Sequence, residues 1–324
     1  MKRRAGRTIS DTDLREILEV EKETRSGQYV CRCPFCGKES HMYVDKKTQL
    51  FDCKRCGTSG NIYKLLRYLN KTYLLGGSTV VNEDTIDSIR GLLSEDGMSE
   101  KGPAELPEVR MPAGWRVLSK SDPYLMGRGM TPDLCERYRF GKTDMFRKYD
   151  NYILIPVYDG GKIRGFVGRY ADKNVPDGRL RYNNSTGTQF ASLLYGYDEI
   201  TEKTETVVLV EGIFDKIAVD RVLDLWSGES IKCVCTFGKK VSEEQRRKLR
   251  AKGVSRVILL YDFDAVREMK KFGMELDEDF VTDITFTTKK DIDECTEEEA
   301  LAVFGRLYRP KDFNVDVIGK LRRK

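Results

Sequence analysis

Two Cys-x2-Cys pairs lie close together near the start of this chain of 324 residues. A spacer of sixteen residues separates the pairs, and a glycine directly follows each of them, Gly37 and Gly57. Four thiolates at this spacing can bind one zinc ion tetrahedrally, and the glycines permit the tight turns beneath the metal. The predicted ligands are Cys33, Cys36, Cys53 and Cys56. A closed four-cysteine site has no open coordination position, so this zinc is predicted to be structural.

Cys31 and His41 are spare candidates as zinc ligands, but neither keeps the two-residue spacing. His41 is the only histidine of the chain, which excludes Ser-His and Cys-His catalysis from the rest of the sequence. The chain opens with Met-Lys-Arg-Arg and no apolar stretch follows, so we expect a cytoplasmic protein with reduced cysteines. We expect no membrane-spanning helix, because no window approaches eighteen apolar residues.

Local clustering decides whether this chain can bind a polyanion, because 57 Lys and Arg against 52 Asp and Glu give a net charge of only +5. The basic ends of the chain are more typical of solvated tails than of binding sites. The cysteine module carries Lys54 and Arg55 among the aromatic residues Tyr43 and Phe51, a combination that suits single-stranded nucleic acid. An ordinary solvated face is equally compatible with that pattern, and both interpretations stay open.

The second half of the chain predicts a parallel sheet. Apolar strands alternate there with helices, which indicates right-handed crossover connections. The predicted strands are 207–210, 231–236, 257–261 and 281–287, and the predicted helices are 213–226 and 242–252. Upstream, strands at 152–158 and 162–170 flank Gly160-Gly161 and predict a hairpin.

Acidic residues follow three of the predicted strands. Glu211 follows the first, Asp262 and Asp264 follow the third, and Asp291 and Asp293 follow the last. The carboxyl ends of parallel strands meet at one edge of a sheet, so these carboxylates are expected to converge. Such acids repel one another unless a divalent cation binds them, and this pattern therefore predicts magnesium or manganese and metal-assisted phosphoryl chemistry.

One further acid, Asp215, follows Glu211 by one helical turn and is expected to face the same site. Each acid taken alone is also explained by helix capping, whereas the three motifs in this order are specific together.

This constellation resembles the Toprim fold. The preceding motifs Gly165-Phe166-Val167-Gly168-Arg169, Arg181-Tyr182-Asn183-Asn184-Ser185 and Leu194-Tyr195-Gly196 resemble those of DnaG-type primases, and Arg128-Gly129 falls in the same order. The sequence departs from the family pattern at two positions. Cys36 stands where the family commonly has histidine, a variant like that of some phage primases, and Tyr152 stands where the family usually has arginine. We therefore expect a DnaG-type primase, encoded by a phage or plasmid and working in a bacterial cell or phage-infected host.

The resemblance implies an α/β multidomain protein. The expected parts are a zinc-binding domain at 1–75, a linker at 76–114, a basic mixed α+β subdomain at 115–204, a Toprim domain at 205–305 and a basic tail at 306–324. The zinc ribbon is expected to choose the start site on the template, while residues from about 115 onward carry the chemistry.

The implied activity is synthesis of short RNA primers on single-stranded DNA from ribonucleoside triphosphates. Glu211, Asp262 and Asp264 would hold the divalent metal, with Asp215, Asp291 and Asp293 widening the site or holding a second ion. Residues expected to bind template or triphosphate are Lys162, Arg164, Arg169, Arg181, Tyr182, Asn183 and Asn184. A separate replicative helicase is expected as partner. A Toprim nuclease and a non-catalytic zinc-ribbon DNA-binding protein are the alternatives.

Overall fold

The computed structural model of the protein describes residues 8–76, 82–99, 106–120, 122–262, 266–287 and 291–313. Asp264, one of the predicted acids, lies outside these residues. Within them the chain forms one parallel and two antiparallel sheets. None of the helices described is both long enough and apolar enough to cross a bilayer.

The first sheet carries the cysteines and has the antiparallel order β1-β2-β3-β4-β5. Its strands are β1 (Val20–Glu23), β2 (Gln28–Cys31), β3 (Met42–Asp45), β4 (Leu50–Cys53) and β5 (Ser59–Asn61). Helix α1 (Asp11–Ile17) precedes this sheet and α2 (Ile62–Leu74) follows it. Asn61 begins α2 by accepting a hydrogen bond from the backbone N–H of Lys64 at 3.0 Å, the capping role its position predicts.

Part of the predicted linker is helical. Helix α3 (Glu83–Ser99) buries Ile86 and Ile89 in the same apolar core as α1 and α2. Because these side chains are fully buried, the compact region around the cysteines extends into the stretch that composition assigned to a linker.

The second sheet is antiparallel, with the order β6-β7-β8-β9. Its strands are β6 (Arg116–Val117), β7 (Gly141–Lys142), β8 (Tyr152–Asp159) and β9 (Lys162–Tyr170), with helices α4 (Pro123–Met126) and α5 (Pro132–Arg137) between β6 and β7. Gly160 and Gly161 both have positive φ, at 64° and 72°, which is what a two-residue hairpin turn requires. The predicted hairpin is confirmed.

The third sheet is parallel, with the order β11-β10-β12-β13. Its strands are β10 (Thr206–Val210), β11 (Ile231–Cys235), β12 (Arg256–Tyr261) and β13 (Val281–Phe286), and its helices are α6 (Ile213–Val222), α7 (Glu243–Ala251), α8 (Val266–Leu276) and α9 (Glu297–Phe304). The predicted strands are confirmed to within a residue. Helix α6 ends four residues before its predicted end, and Asp224 just beyond it has a φ of 46°.

The second and third sheets share one apolar core. Phe140 of the second region meets Phe214 of α6 edge to face at 5.7 Å, in a cluster that also contains Ile153 and Val208. Tyr195, from the Leu194-Tyr195-Gly196 motif, pairs with Cys235 and extends the third sheet. These two regions therefore pack as one unit around the site described below.

The segment from residue 306, which composition assigned to a basic tail, is packed against the third sheet as far as Phe313. Tyr308 pairs with Ile284 of β13, and Phe313 is fully buried among aromatic neighbours. The apolar residues within this basic segment explain the difference, because they can be buried while the charged residues remain at the surface.

The zinc-binding region docks on the third sheet through cations of α2. Lys64 is 1% exposed, and its amine donates to the Asp277 carboxylate at 3.1 Å and to the Ser59 carbonyl at 2.8 Å. Arg67 forms a second ion pair, with its Nη2 3.8 Å from Oδ1 of Asp279. Asp277 and Asp279 directly precede β13, so the docking surface lies at the amino end of the parallel strands.

Asp279 shows how strongly this surface is charged. Burial alone would raise the pKa of its carboxyl, yet Arg246, Arg250 and Arg67 outweigh the burial and lower that pKa. Arg250 lies 2.9 Å from it, on α7. Removing the zinc-binding region would expose these buried carboxylates to water.

We expect Lys64→Met to remove a pH dependence of stability. Burial lowers the pKa of Lys64 from 10.5 to about 8, so between these values the unfolded chain binds a proton that the folded protein lacks. The free energy of unfolding of the wild type should therefore rise with pH in this window, by at most about 3 kcal/mol. That of Lys64→Met should lack this rise. Urea unfolding at pH 8 and pH 10 measures the gain. Lys22→Met, an exposed change on β1, should keep it, and an equal gain in Lys64→Met would contradict the prediction.

Candidate metal and nucleic-acid site

The four predicted cysteine ligands come together. Their sulfur atoms all lie within 4.8 Å of one another, with 3.9 Å between Cys33 and Cys56 and between Cys36 and Cys53. A tetrahedral zinc with Zn–S bonds of about 2.3 Å places its sulfurs about 3.8 Å apart, so the cluster fits this ion. Gly37 and Gly57 have φ values of 69° and 71°, as the turns beneath a metal require.

Neither spare candidate belongs to this cluster. Cys31 is fully buried, and its sulfur lies outside the group of four cysteine sulfurs. His41 is exposed, and its Nδ1 lies 2.5 Å from the carbonyl of Glu39. The structure therefore supports a structural zinc site of four cysteines.

The predicted acids lie at the carboxyl ends of the parallel strands. Glu211 follows β10 and Asp262 follows β12, and these two strands are neighbours in the sheet. Asp291 directly precedes the short helical turn at Ile292–Glu294. All three are therefore placed at the edge opposite the docking surface of α2. Of the residues described, only the four cysteines form a preassembled group of metal-ligand atoms.

Asp215 lies at the centre of this acidic edge. Its carboxylate accepts a hydrogen bond from the backbone N–H of Gly212 at 3.1 Å at the start of α6. Burial raises the pKa of Asp215 well above its usual range, and Asp293, Asp262 and Asp291 raise it further. Three neighbouring carboxylates thus act on Asp215, and carboxylate oxygen atoms are the ligands that magnesium and manganese prefer.

One of the acids, Asp293, is paired with a cation: its carboxylate forms an ion pair with the guanidinium of Arg128. Its side chain is 4% exposed, and Oδ1 has no hydrogen-bond partner among the residues described. Arg128 was part of a family motif in the sequence but not a predicted site residue. No spacing rule could connect it with Asp293, since the two are 165 residues apart.

Tyr124 links this ion pair to the hairpin. Its hydroxyl lies 3.4 Å from Nη1 of Arg128 and accepts a hydrogen bond from Nε of Arg169 at 2.8 Å. The guanidinium of Arg169 also lies 4.8 Å from the ring centre of Tyr182, which is half exposed. Two predicted nucleic-acid residues, Arg169 and Tyr182, are therefore connected to the acidic edge by direct contacts.

Other predicted basic residues lie farther along the hairpin. Lys162 and Arg169 are seven residues apart on β9, which is about 23 Å in a strand. Arg164 is the extra residue of a β-bulge, and its guanidinium donates to the carbonyls of Leu106 and Asp159. Arg181 is exposed beside β9.

The predicted amides hold the backbone beside β9. The side chain of Asn183 donates to the carbonyl of Lys148 at 3.0 Å, and that of Asn184 accepts from the N–H of Gly168 at 3.3 Å. A Cβ on Gly168 would meet the carbonyl oxygen of Asn183 at 2.3 Å, so glycine is required for this close approach. Their observed contacts position Tyr182 near Arg169.

A shallow depression of about 410 Å³ lies on the zinc-binding sheet. Tyr43, Leu50 and Lys54 line it together with polar residues. The amine of Lys54 lies 2.5 Å from the Asp52 carboxylate, so this cation is already paired at the surface.

The chain is similar in sequence to curated DNA primases, and no protein-family model matches it. The DNA primase of Halalkalibacterium halodurans is 26% identical over 303 residues, covering 77% of this chain and 48% of that protein. That of Thermotoga maritima is 26% identical over 339 residues, covering 88% and 58%. The chain thus spans about half the length of these relatives.

The primase fragment of the bacteriophage T7 primase-helicase protein is a structural neighbour with the low TM-score of 0.46 and 15% identity, covering 86% of this chain and 99% of that one. The fold and the cysteine cluster define a mixed α/β protein with a parallel sheet and a four-cysteine cluster suited to zinc. The sequence comparison confirms the resemblance to DnaG-type primases.

We expect the protein to carry about one equivalent of zinc when it is purified without chelator. Cys53→Ser should lose most of this zinc, because three thiolates bind the ion more weakly than four. Cys31→Ser is the matched control, since Cys31 lies outside the cluster, and it should keep the metal. Elemental analysis measures both variants. Less than about half an equivalent in the wild type would contradict four-thiolate coordination.

Proposed function

We propose that this protein synthesises short RNA primers on single-stranded DNA by metal-dependent nucleotidyl transfer. The observation that carries the proposal is the chain of contacts from the hairpin to the acidic edge, from Arg169 through Tyr124 and Arg128 to Asp293. These contacts support a site in which cations would bind phosphate beside carboxylates that would bind metal. Similarity to curated DNA primases supports the same activity.

The residues that would hold magnesium or manganese are Glu211, Asp262 and Asp264, with Asp215 and Asp291 beside them. A divalent ion bound there would lower the pKa of a ribose 3′-hydroxyl and neutralise phosphate charge. The unpartnered Oδ1 of buried Asp293 fits a cation-binding role. The nearby carboxylates that raise the pKa of Asp215 also favour a cation at this edge.

The cations of the second region would bind phosphate. Arg169 and Tyr182, which are linked to Arg128 through Tyr124, would hold template or triphosphate, with the exposed ring of Tyr182 as a stacking surface for a base. Lys162, Arg164 and Arg181 would act farther away, along the template backbone. Asn183 and Asn184 would act by holding the Tyr182 backbone in place.

The zinc-binding sheet would read the start site of the template. Its depression offers the ring of Tyr43 and the amine of Lys54, whose side chain is exposed. The parallel strands, five or six residues long, separate the docking edge from the acidic edge by about 16 to 20 Å. That a separate replicative helicase acts with this chain stays a prediction.

We expect Glu211→Gln and Asp262→Asn to reduce primer synthesis at least about a hundredfold, because each removes a metal-binding charge from the reacting edge. Binding to single-stranded DNA should not change. Incorporation of labelled ribonucleotides measures synthesis, and fluorescence anisotropy measures binding. The matched control is Glu229→Gln, an exposed change before β11 at the opposite edge, which should remain active. Near-normal synthesis by both acid variants would remove the metal-site assignment.

Tyr43→Ala and Lys54→Ala should each reduce the initiation of new primers. The loss of the aromatic ring in Tyr43→Ala should reduce it by about fivefold to a hundredfold. Extension of a preannealed RNA primer should stay near the wild-type rate, because the chemistry lies elsewhere. These changes leave α2 docked, whereas truncation of the region would expose Asp277 and Asp279. Lys22→Ala on β1 is the control. Equal loss of initiation and extension would contradict a reading role for this sheet.

A further inference from the structure

The Arg128–Asp293 ion pair places one cation of the chain inside its acidic edge. Asp293 is 4% exposed and Arg128 is 23% exposed, so the pair is largely shielded from water. Oδ1 of Asp293 and Nε of Arg128 have no hydrogen-bond partner among the residues described. Each side chain therefore keeps capacity for a further partner, a cation for Asp293 and an acceptor for Arg128.

Arg128 has few strong bonds that would hold it in this position. Its second polar contact, to the Tyr124 hydroxyl, is long at 3.4 Å. The centre of its guanidinium lies 4.2 Å from the ring centre of Phe214, a cation–π contact. Phe214 directly precedes Asp215 on α6, so the guanidinium lies at the same helix start as the central buried acid.

Two cations cannot both bind one buried carboxylate cluster at full strength, because like charges at this spacing repel strongly in a region shielded from water. Arg128 lowers the net negative charge that a divalent ion would meet. Asp293 is among the carboxylates that raise the pKa of Asp215, so the charge that Arg128 neutralises belongs to the same edge.

We propose that Arg128 is an internal counter-cation of the acidic edge, which competes with divalent metal for Asp293 and turns to an anionic phosphate when one enters the site. This inference rests on the proposed function, since it assumes that the acids bind divalent metal. By linkage, a phosphate that draws Arg128 away from Asp293 strengthens metal binding there. Nucleotide and metal then bind cooperatively, and Arg128 is the positioning residue that couples them.

The test is manganese binding to the full chain, followed by the electron paramagnetic resonance signal of free Mn²⁺ without DNA or nucleotide. Arg128→Gln should bind Mn²⁺ roughly fivefold to a hundredfold more tightly than the wild type, because the competing charge is gone. Arg137→Gln is the matched control and should bind Mn²⁺ as the wild type does. This change also removes one positive charge, but Arg137 lies over the ring of Trp226 rather than beside the acids.

A second measurement uses the wild type, so that it does not depend on folding of the glutamine variant. Nuclear magnetic resonance of arginine side chains should show the Arg128 Nε–H signal, assigned by its loss in Arg128→Lys, shifting as Mg²⁺ is added. The Arg137 signal should stay in place.

Mn²⁺ binding that is unchanged or weaker in Arg128→Gln, or an Arg128 signal that does not shift at saturating Mg²⁺, overturns the inference and leaves the metal site standing. Absence of Mn²⁺ binding in the wild type and in both glutamine variants overturns the metal site itself, and the inference with it.

Discussion

Asp215 lies buried at the first turn of α6, where Asp293, Asp262 and Asp291 raise its pKa through their negative charge. This concentration of like charge follows from the parallel sheet, since parallel strands bring their carboxyl ends to one edge. The protein offsets part of the repulsion with its own groups, the N–H of Gly212 on Asp215 and the guanidinium of Arg128 on Asp293. The remaining charge favours a divalent cation, and the proposed chemistry depends on it.

A second set of buried charges holds α6 in place. Lys216, fully buried, pairs with Asp220 one turn along the helix and with Glu199 at 2.8 Å. The hydroxyl of Tyr138, from the second region, donates to Asp220 at 2.6 Å. Breaking one partner of such a group leaves an uncompensated buried charge, so the network fixes α6 against the region that supplies Tyr124 and Arg169. The relative position of acids and cations is thus built into the shared core.

Local patterns predicted much of this arrangement. The cysteine spacing gave the metal cluster, Gly160-Gly161 gave the hairpin, and acids after apolar strands gave the acidic edge. Contacts between distant residues were not predictable, because no periodicity joins Arg128 to Asp293 or Lys64 to Asp277. The predicted cations also have similar sequence surroundings, yet Arg169 contacts Tyr124, whereas Arg164 is the extra residue of a β-bulge.

The docked zinc-binding region and the acidic edge lie at opposite ends of the same strands, so under the proposed function a template bound by one would have to cross the sheet to reach the other. The most direct test of the whole account is synthesis by the full chain on single-stranded DNA templates of varied sequence, with labelled ribonucleotides and magnesium. The account predicts short labelled RNA products that need template, nucleotides and metal together and that start at particular template sequences. Degradation of the DNA with metal alone, or the absence of RNA products on every template, would contradict it.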